Sequence, residues 1–405
     1  MERKDPIIIV GGGLGGLTTA LALARHGFTV RVLEGAPEFG AIGFGIQFGP
    51  NVFHALDRIG VSTAVLEKAD APPAVMMFDA LDGKEVARIP TGASFRQRFK
   101  YPYIVIHRID LHNVLLDACR RDPKITLVGD AMVTRFDDSG DGVMVAIEDG
   151  RSLQGALLIG ADGIRSRTRA QMLADGDPLP NGFMGFRTIV PMGDVTADVR
   201  RDIVALWGGP GFHIVHYPLR HGTLFNIVAV FCRSAHSDRG DAAAYRAELE
   251  QAYRNAHPTM KALLTMLDLQ RRQAVGDRDP IRHWHKGRVV LLGDAAHPTL
   301  QSLAQGACMA IEDGCCLADC IADGNGDYGA AFRRYETARS LRTARVTVES
   351  RYMWDVYHAD SIAREVYWQM LGERSEADTF QCLSWLYDGF RLPDKAALSE
   401  APLRG

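Results

Sequence analysis

The stretch from Ile7 to Glu34 restricts the fold of this chain more than any other. Ile7-Ile8-Ile9-Val10 is an unbroken apolar run, the pattern of a strand buried on both faces. Gly11-Gly12-Gly13-Leu14-Gly15-Gly16 follows at once and carries GxGxxG spacing at Gly11, Gly13 and Gly16. Leu17, Leu21, Ala24 and Phe28 then recur at helical spacing, Gly27 ends the helix, residues 29–33 read as a second strand, and Glu34 closes it. Gly11 permits the tight turn, Gly13 lets the backbone approach a pyrophosphate, and Gly16 lets the helix pack close to the strand. Leu14 and Gly15 begin a helix whose free N–H groups and partial positive charge favour phosphate. Glu34 is placed to accept hydrogen bonds from a ribose and disfavours a 2′-phosphate, so the ligand expected is FAD or NAD rather than NADP.

The chain has 405 residues, too many for one ordinary core, and two intertwined domains are expected. Hydrophobic residues at 47% and charged residues at 23% suit a soluble globular protein. The formal net charge of -3, with no Lys/Arg run, argues against a nucleic-acid partner. The seven cysteines form no CxxC pair and no Cys/His array with zinc spacing, so no metal site is expected. Their odd number without a framework suggests a reducing compartment. Cys316 and Cys320, four apart on an expected helix, read as core packing. The charged start and apolar run have the outline of a signal peptide, but acidic Glu2 and Asp5 and the five glycines between Gly11 and Gly16 do not fit one. No stretch is long and apolar enough to span a membrane, and a cytoplasmic location is expected.

Two further segments separate FAD from NAD. Ala156-Leu157-Leu158-Ile159-Gly160 is an apolar strand running into Ala161-Asp162-Gly163. Val289-Val290-Leu291-Leu292 is another, running into Gly293-Asp294-Ala295-Ala296-His297-Pro298. Asp294 falls at a strand end, where ligands bind in open α/β sheets. A carboxylate there suits a polyol, and FAD has a ribityl chain where NAD has none. Gly306 and Ala307 begin a helix whose N–H groups suit the electron-rich edge of a reduced flavin.

In order, these three segments resemble the dinucleotide, DG and GD motifs of the class A flavoprotein aromatic hydroxylases, and the resemblance runs from Pro6 to about Arg345. It implies an α/β fold: a Rossmann-like FAD-binding domain with a parallel sheet, a β-sheet substrate domain and a C-terminal helical region. It implies that Glu34 holds the adenosine ribose and Asp294 the ribityl chain. The Asp162 segment would serve both FAD and nicotinamide. Arg108 matches an arginine near the FAD pyrophosphate, and Gln47 lies in the glycine-rich stretch 42–50 that passes the flavin. No second fingerprint of apolar strand, GxGxxG and helix appears, so NADH or NADPH is expected to bind transiently, without a domain of its own.

The FAD-binding parts are expected at 1–73, 105–182 and 276–345. Substrate-domain strands are expected at 74–104 and a substrate-binding sheet at 183–275, where alternating patterns such as His213-Ile214-Val215-His216-Tyr217 occur. Residues 346–405 are expected to be a helical region, and residues 331–371 read as helical. Trp354, Trp368 and Trp385 read as tail packing against the body, with a homodimer contact as the alternative.

The resemblance implies single-component chemistry, in which NAD(P)H reduces the flavin and O₂ forms a flavin C4a-hydroperoxide that hydroxylates a phenolic acid. The protein must then help the phenol lose its proton and keep water away. His213, on an expected strand, has the right pKa range for that proton. Tyr217, four residues on, points to the same face. Gln301, in His297-Pro298-Thr299-Leu300-Gln301, lies on the loop passing the flavin, where its amide can fix the same phenolic oxygen, and Tyr103 lies near the domain junction, within reach of a carboxylate. The His-x-x-x-Tyr strand with the His-Pro-x-Leu-Gln loop resembles the 3-hydroxybenzoate 6-hydroxylase branch. That branch implies 3-hydroxybenzoate as substrate and 2,5-dihydroxybenzoate (gentisate) as product. The rivals are a salicylate or hydroxypyridine-acid hydroxylase of the same family, a flavin reductase without oxygen insertion, and a non-enzymatic flavin-binding module.

Overall fold

Ile7–Val10 becomes an inner strand of a six-stranded sheet, parallel to Leu157–Gly160 on one side and Val30–Leu33 on the other. Ile125–Val128 extends the sheet beyond Val30–Leu33, and Val289–Leu291 extends it beyond Leu157–Gly160. His285–Lys286 adds an antiparallel edge. The structure is a computed structural model and describes residues 5–40, 43–232 and 242–390. Glu2, Ile42, residues 233–241 of the expected substrate sheet and residues 391–405 of the expected helical tail lie outside the described residues.

Register carries the functional consequence. Val10 pairs with Gly160, and Gly160 with Leu291. The three apolar runs, far apart in sequence, therefore end at one edge of the sheet, and the loops after them become neighbours. A Cβ at Gly11 (φ +109°) would stand 2.3 Å from the Ala161 carbonyl oxygen, so only glycine permits this approach. Helix Leu14–Arg25 packs on helix Gly306–Asp323, where Cys316 and Cys320 are buried as expected of core residues, and Cys315 with them.

A second, seven-stranded sheet draws on two separated parts of the chain. Its order is Arg272–Asp277, Leu179–Pro191, Leu224–Cys232, Phe212–Leu219, Val204–Gly209, Ala74–Asp79 and Glu85–Pro90. Side chains alternate between its faces. Phe212 and Ile214 enter the core on one face, while His213, Val215 and Tyr217 face a cavity on the other. The core face is covered by helices Ala242–Ala252 and Pro258–Thr265, elements that the expected sheet of 183–275 did not contain. Tyr245, Leu249 and Tyr253 recur every four residues and are buried there, a helical period inside a region dominated by alternation.

The helical stretch expected over 331–371 is two helices, Tyr328–Tyr357 and Ser361–Gly372, followed by Glu376–Tyr387. The break falls at His358–Asp360, where Asp360 caps the next helix by accepting from the Ser361 N–H at 2.6 Å. All three tryptophans of this tail pack on the body. Trp354 is buried edge-on against Phe183, Trp368 donates to Asp79 at 2.6 Å, and Trp385 lies 3.9 Å below the Arg345 guanidinium. No helix among the described residues is long and apolar enough to cross a membrane.

Candidate active site

A cavity of about 1130 Å³ lies between the two sheets. On the side of the first sheet it is walled by Gly13, Leu14 and Gly15, by Ala161 and Gly163, and by Asp294, with Gly306 and Ala307 at the start of their helix. Gln47 and Arg108 complete that side. The opposite wall carries His213 and Tyr217, and Tyr103 and Gln301 close the space between. All four residues expected to meet the substrate thus share one cavity.

Four residues expected at the cofactor stand behind this wall. A Cβ at Gly16 would stand 2.0 Å from the Gly11 carbonyl oxygen, so Gly11 and Gly16 serve close packing. The Glu34 carboxylate accepts from the N–H groups of Gly12 at 2.8 Å and Ala36 at 3.0 Å, bracing the glycine loop. Asp162 accepts from the Ser166 hydroxyl at 2.5 Å and from the Thr168 N–H and hydroxyl at 3.0 and 3.1 Å. Its carboxylate holds its own loop, while its neighbours Ala161 and Gly163 form the cavity surface.

The first-sheet side fits a flavin dinucleotide on three observations. A Cβ at Gly13 would meet no atom within 4 Å, so the loop borders open space where it begins the helix. The Asp294 carboxylate is open to the cavity yet enclosed by protein and makes no hydrogen bond among the described residues. That enclosure pushes its pKa up, against the pull of His297 and Arg108. Thr299 Oγ1, Ser302 Oγ and Gln305 Nε2, on the loop bordering the same space, are buried without partners among the described residues. Unsatisfied polar atoms are costly unless a ligand or water meets them.

This loop is held by a buried ionic network. Asp313 accepts from the Gly293 N–H at 3.1 Å, from Arg339 Nε at 2.6 Å, and lies 2.5 Å from His297 Nε2. Glu312 accepts from Arg342 at 2.8 and 2.9 Å, from Asn51 at 2.7 Å, and pairs with Arg339. Asn51 also donates to Gln305 Oε1 at 3.0 Å. Burial opposes the charge on Asp313, but His297 and Arg339 hold its carboxyl down at about 2.

On the opposite wall, Gln301 Oε1 accepts from Arg187 Nη2 at 2.8 Å, which leaves the Gln301 amide N–H groups to donate. The Arg187 guanidinium borders the cavity and pairs with no carboxylate among the described residues. Enclosure lowers its pKa. His213 is buried, with Nδ1 2.8 Å from His358 Nε2, and burial with that second ring holds its pKa well below the usual value. It is therefore a neutral imidazole at pH 7. Tyr103 donates to Gln47 Oε1 at 2.6 Å. Burial raises the pKa of both Tyr103 and Tyr217, keeping them as hydroxyl donors.

Sequence reasoning missed Arg187 and His358. Arg187 had a faint signal: in Gly185-Phe186-Arg187-Thr188-Ile189 it takes the phase opposite to buried Phe186, so a charge stands on the cavity face of a sheet strand. His358 had none, because its partner lies 145 residues away.

Residues 4–350 match the family described as FAD binding domain. The 3-hydroxybenzoate 6-hydroxylase of Polaromonas naphthalenivorans (strain CJ2) is 40% identical over 94% of this chain and 95% of its own length. The enzyme of the same name from Klebsiella oxytoca is 39% identical over 96% of this chain and 97% of its own. Among solved structures, Klebsiella pneumoniae HpxO complexed with FAD and uric acid superposes with a TM-score of 0.83 at 27% identity, covering 95% of this chain and 98% of that one.

Proposed function

Because the chain belongs to the FAD binding domain family of class A flavoprotein aromatic hydroxylases, we propose that it hydroxylates 3-hydroxybenzoate with NAD(P)H and O₂. We further propose that the product is 2,5-dihydroxybenzoate. The observation that carries this reading is the pairing on one wall of an enclosed guanidinium without a carboxylate, Arg187, and a neutral imidazole, His213. A ring bearing one carboxylate and one phenol meets both needs.

In this reading Arg187 binds the carboxylate as a charge-assisted pair. Gln301, its carbonyl already engaged by Arg187, donates to the phenolic oxygen. His213 accepts the phenolic proton, and the electron pair left on oxygen makes the ring more nucleophilic. Val215, Leu206 and Val228 keep water from that face. Bound FAD supplies hydride acceptance and oxygen activation. The glycine loop, Arg108, Asp294 and the helix start at Gly306 and Ala307 would hold it. The nicotinamide enters and leaves without a fold of its own.

The test is a panel of 3-hydroxybenzoate, salicylate and 6-hydroxynicotinate, scored for stimulated NADH oxidation with product identification. Gentisate from 3-hydroxybenzoate is expected. CO₂ release with salicylate as the preferred substrate, or NADH oxidation with no hydroxylated product, overturns the reading. His213→Ala is expected to lower kcat by about 10²–10⁴ while FAD is retained. Normal turnover by that variant removes His213 from the base role.

We also assign a homodimer contact to the tail. Ile362, Val366 and Met370 recur every four residues on Ser361–Gly372 and are 76%, 48% and 47% exposed. Tyr352 of the preceding helix meets Tyr367 edge-on and widens the stripe. A self-complementary patch suits a two-fold pair. The mass in solution should be that of two chains, and Ile362→Glu should shift it toward one. A cytoplasmic location fits the seven unpaired cysteines.

A further inference from the structure

We infer that His358 is a positioning residue for His213: it holds His213 in the tautomer whose Nε2 is bare, and it shares the positive charge when that nitrogen takes the phenolic proton. The inference rests on the reading of His213 as the base.

Hydrogen-bond geometry carries the first half. His213 Nδ1 and His358 Nε2 stand 2.8 Å apart, so one of them donates. His358 Nδ1 is buried with no well-formed hydrogen bond among the described residues. The group favouring a proton on that ring is the main-chain carbonyl of Trp354, one turn back. In the inferred tautomer the His358 proton sits on Nδ1, toward that carbonyl, and Nε2 carries a lone pair. In that arrangement His213 Nδ1–H donates, and His213 Nε2 carries a free lone pair. The reverse tautomer would put a proton on Nε2 and remove the base.

The surroundings carry the second half. Neither ring has a carboxylate or a guanidinium acting on it. Trp354 and Phe183 contribute apolar rings. The titratable neighbours are tyrosines held protonated by burial. Tyr253 donates to the His213 carbonyl at 3.0 Å, Tyr357 donates to the Ser302 carbonyl at 3.1 Å, and Tyr217 lies two positions further along the same face. Arg187, on the cavity side, binds Gln301. Burial holds His358 down at about 4, so the pair is neutral at pH 7. A lone buried imidazole would resist a proton, whereas a second imidazole at hydrogen-bond distance spreads the charge.

The step balances. The phenolic O–H breaks with its electron pair staying on oxygen, and an N–H forms at His213 Nε2. The Nδ1 proton of His213 shifts toward His358 Nε2, so the pair gains one positive charge as the substrate gains one negative. His358 is held in place from both sides. Its carbonyl accepts from the Gly211 N–H at 3.2 Å, and the helix after it is tied to Asp79 through Trp368.

His358→Phe and His358→Gln in the FAD-loaded enzyme, beside His213→Ala, test this with 3-hydroxybenzoate across pH. His358→Phe is expected to lower kcat about 10- to 100-fold, the scale of orienting partners elsewhere. KM and FAD content should not change. Its residual rate should climb with pH toward the phenol's own pKa, about 10, because the substrate must then arrive ionised. His358→Gln, whose amide oxygen offers an acceptor near the Nε2 position, should recover most of the loss. Full activity in His358→Phe, an unchanged pH profile, or no recovery in His358→Gln would overturn the inference. If His213→Ala is impaired and His358→Phe is not, only the role of His358 fails. If His213→Ala turns over normally, the base reading itself fails.

Discussion

Arg339→Ala is expected to cost about 3–5 kcal/mol of stability, out of a total of roughly 5–15 kcal/mol. Arg339 is fully buried between Glu312 and Asp313, and its removal takes from Asp313 the one guanidinium that pairs with it among the described residues, leaving the His297 ring beside it. Arg342 still compensates Glu312, so the damage concentrates at Asp313 and at the Gly293 amide it holds. Unfolding in denaturant, followed on the FAD-loaded protein, measures the loss. A midpoint like that of the wild type would mean the network is not needed for stability. The same network predicts an acid limb. Asp313 is held at about 2, below its unfolded value near 4. Its contribution, on the order of 2 kcal/mol, is therefore fully present above pH 4 and is lost as pH falls from 4 toward 2.

Arg187→Met is expected to do the opposite: to leave stability intact and to remove substrate affinity. Arg187 has no carboxylate partner among the described residues, so its loss orphans no buried anion. With the substrate bound, it becomes one half of an enclosed ion pair, and removing one half of such a pair costs about 2 kcal/mol or more. KM for 3-hydroxybenzoate should rise at least about 30-fold, and binding of 3-methylphenol, which lacks the carboxylate, should change little. Steady-state kinetics with both phenols decides the matter. An unchanged KM for the acid assigns the carboxylate elsewhere.

Some parts of the site were legible in the sequence and others were not. Strand-then-loop segments were legible because burial on both faces demands apolar runs and the loops after them demand glycine or aspartate. Ile7–Val10, Leu157–Gly160 and Val289–Leu291 lie side by side as that pattern requires. His213 and Tyr217 were legible as a shared face through strand alternation. The direction of a carboxylate was not. Glu34 and Asp162 stand at the expected strand ends, where Glu34 takes N–H groups of the glycine loop and of Ala36 and Asp162 takes groups of its own loop, contacts that no sequence spacing announces. Arg187 and His358 are hydrogen-bonded to Gln301 and His213, 114 and 145 residues away, and no local spacing encodes such pairs. The two helices within 183–275 were masked by stronger alternation around them.

The register that ends three strands at one edge also bears on how the molecule comes apart. Gly13, Gly163 and Asp294 border the same space, although some 280 residues of chain separate the first from the last. A cofactor resting there bridges the opening, the middle and the late part of the sequence at once. It acts as a removable cross-link, so the segments are expected to melt together when it is present and more independently when it is not. At a free concentration one hundred times its dissociation constant it would add about 2.7 kcal/mol to the folded state. The fold and its cofactor are in that sense one cooperative unit, assembled from distant parts of the chain.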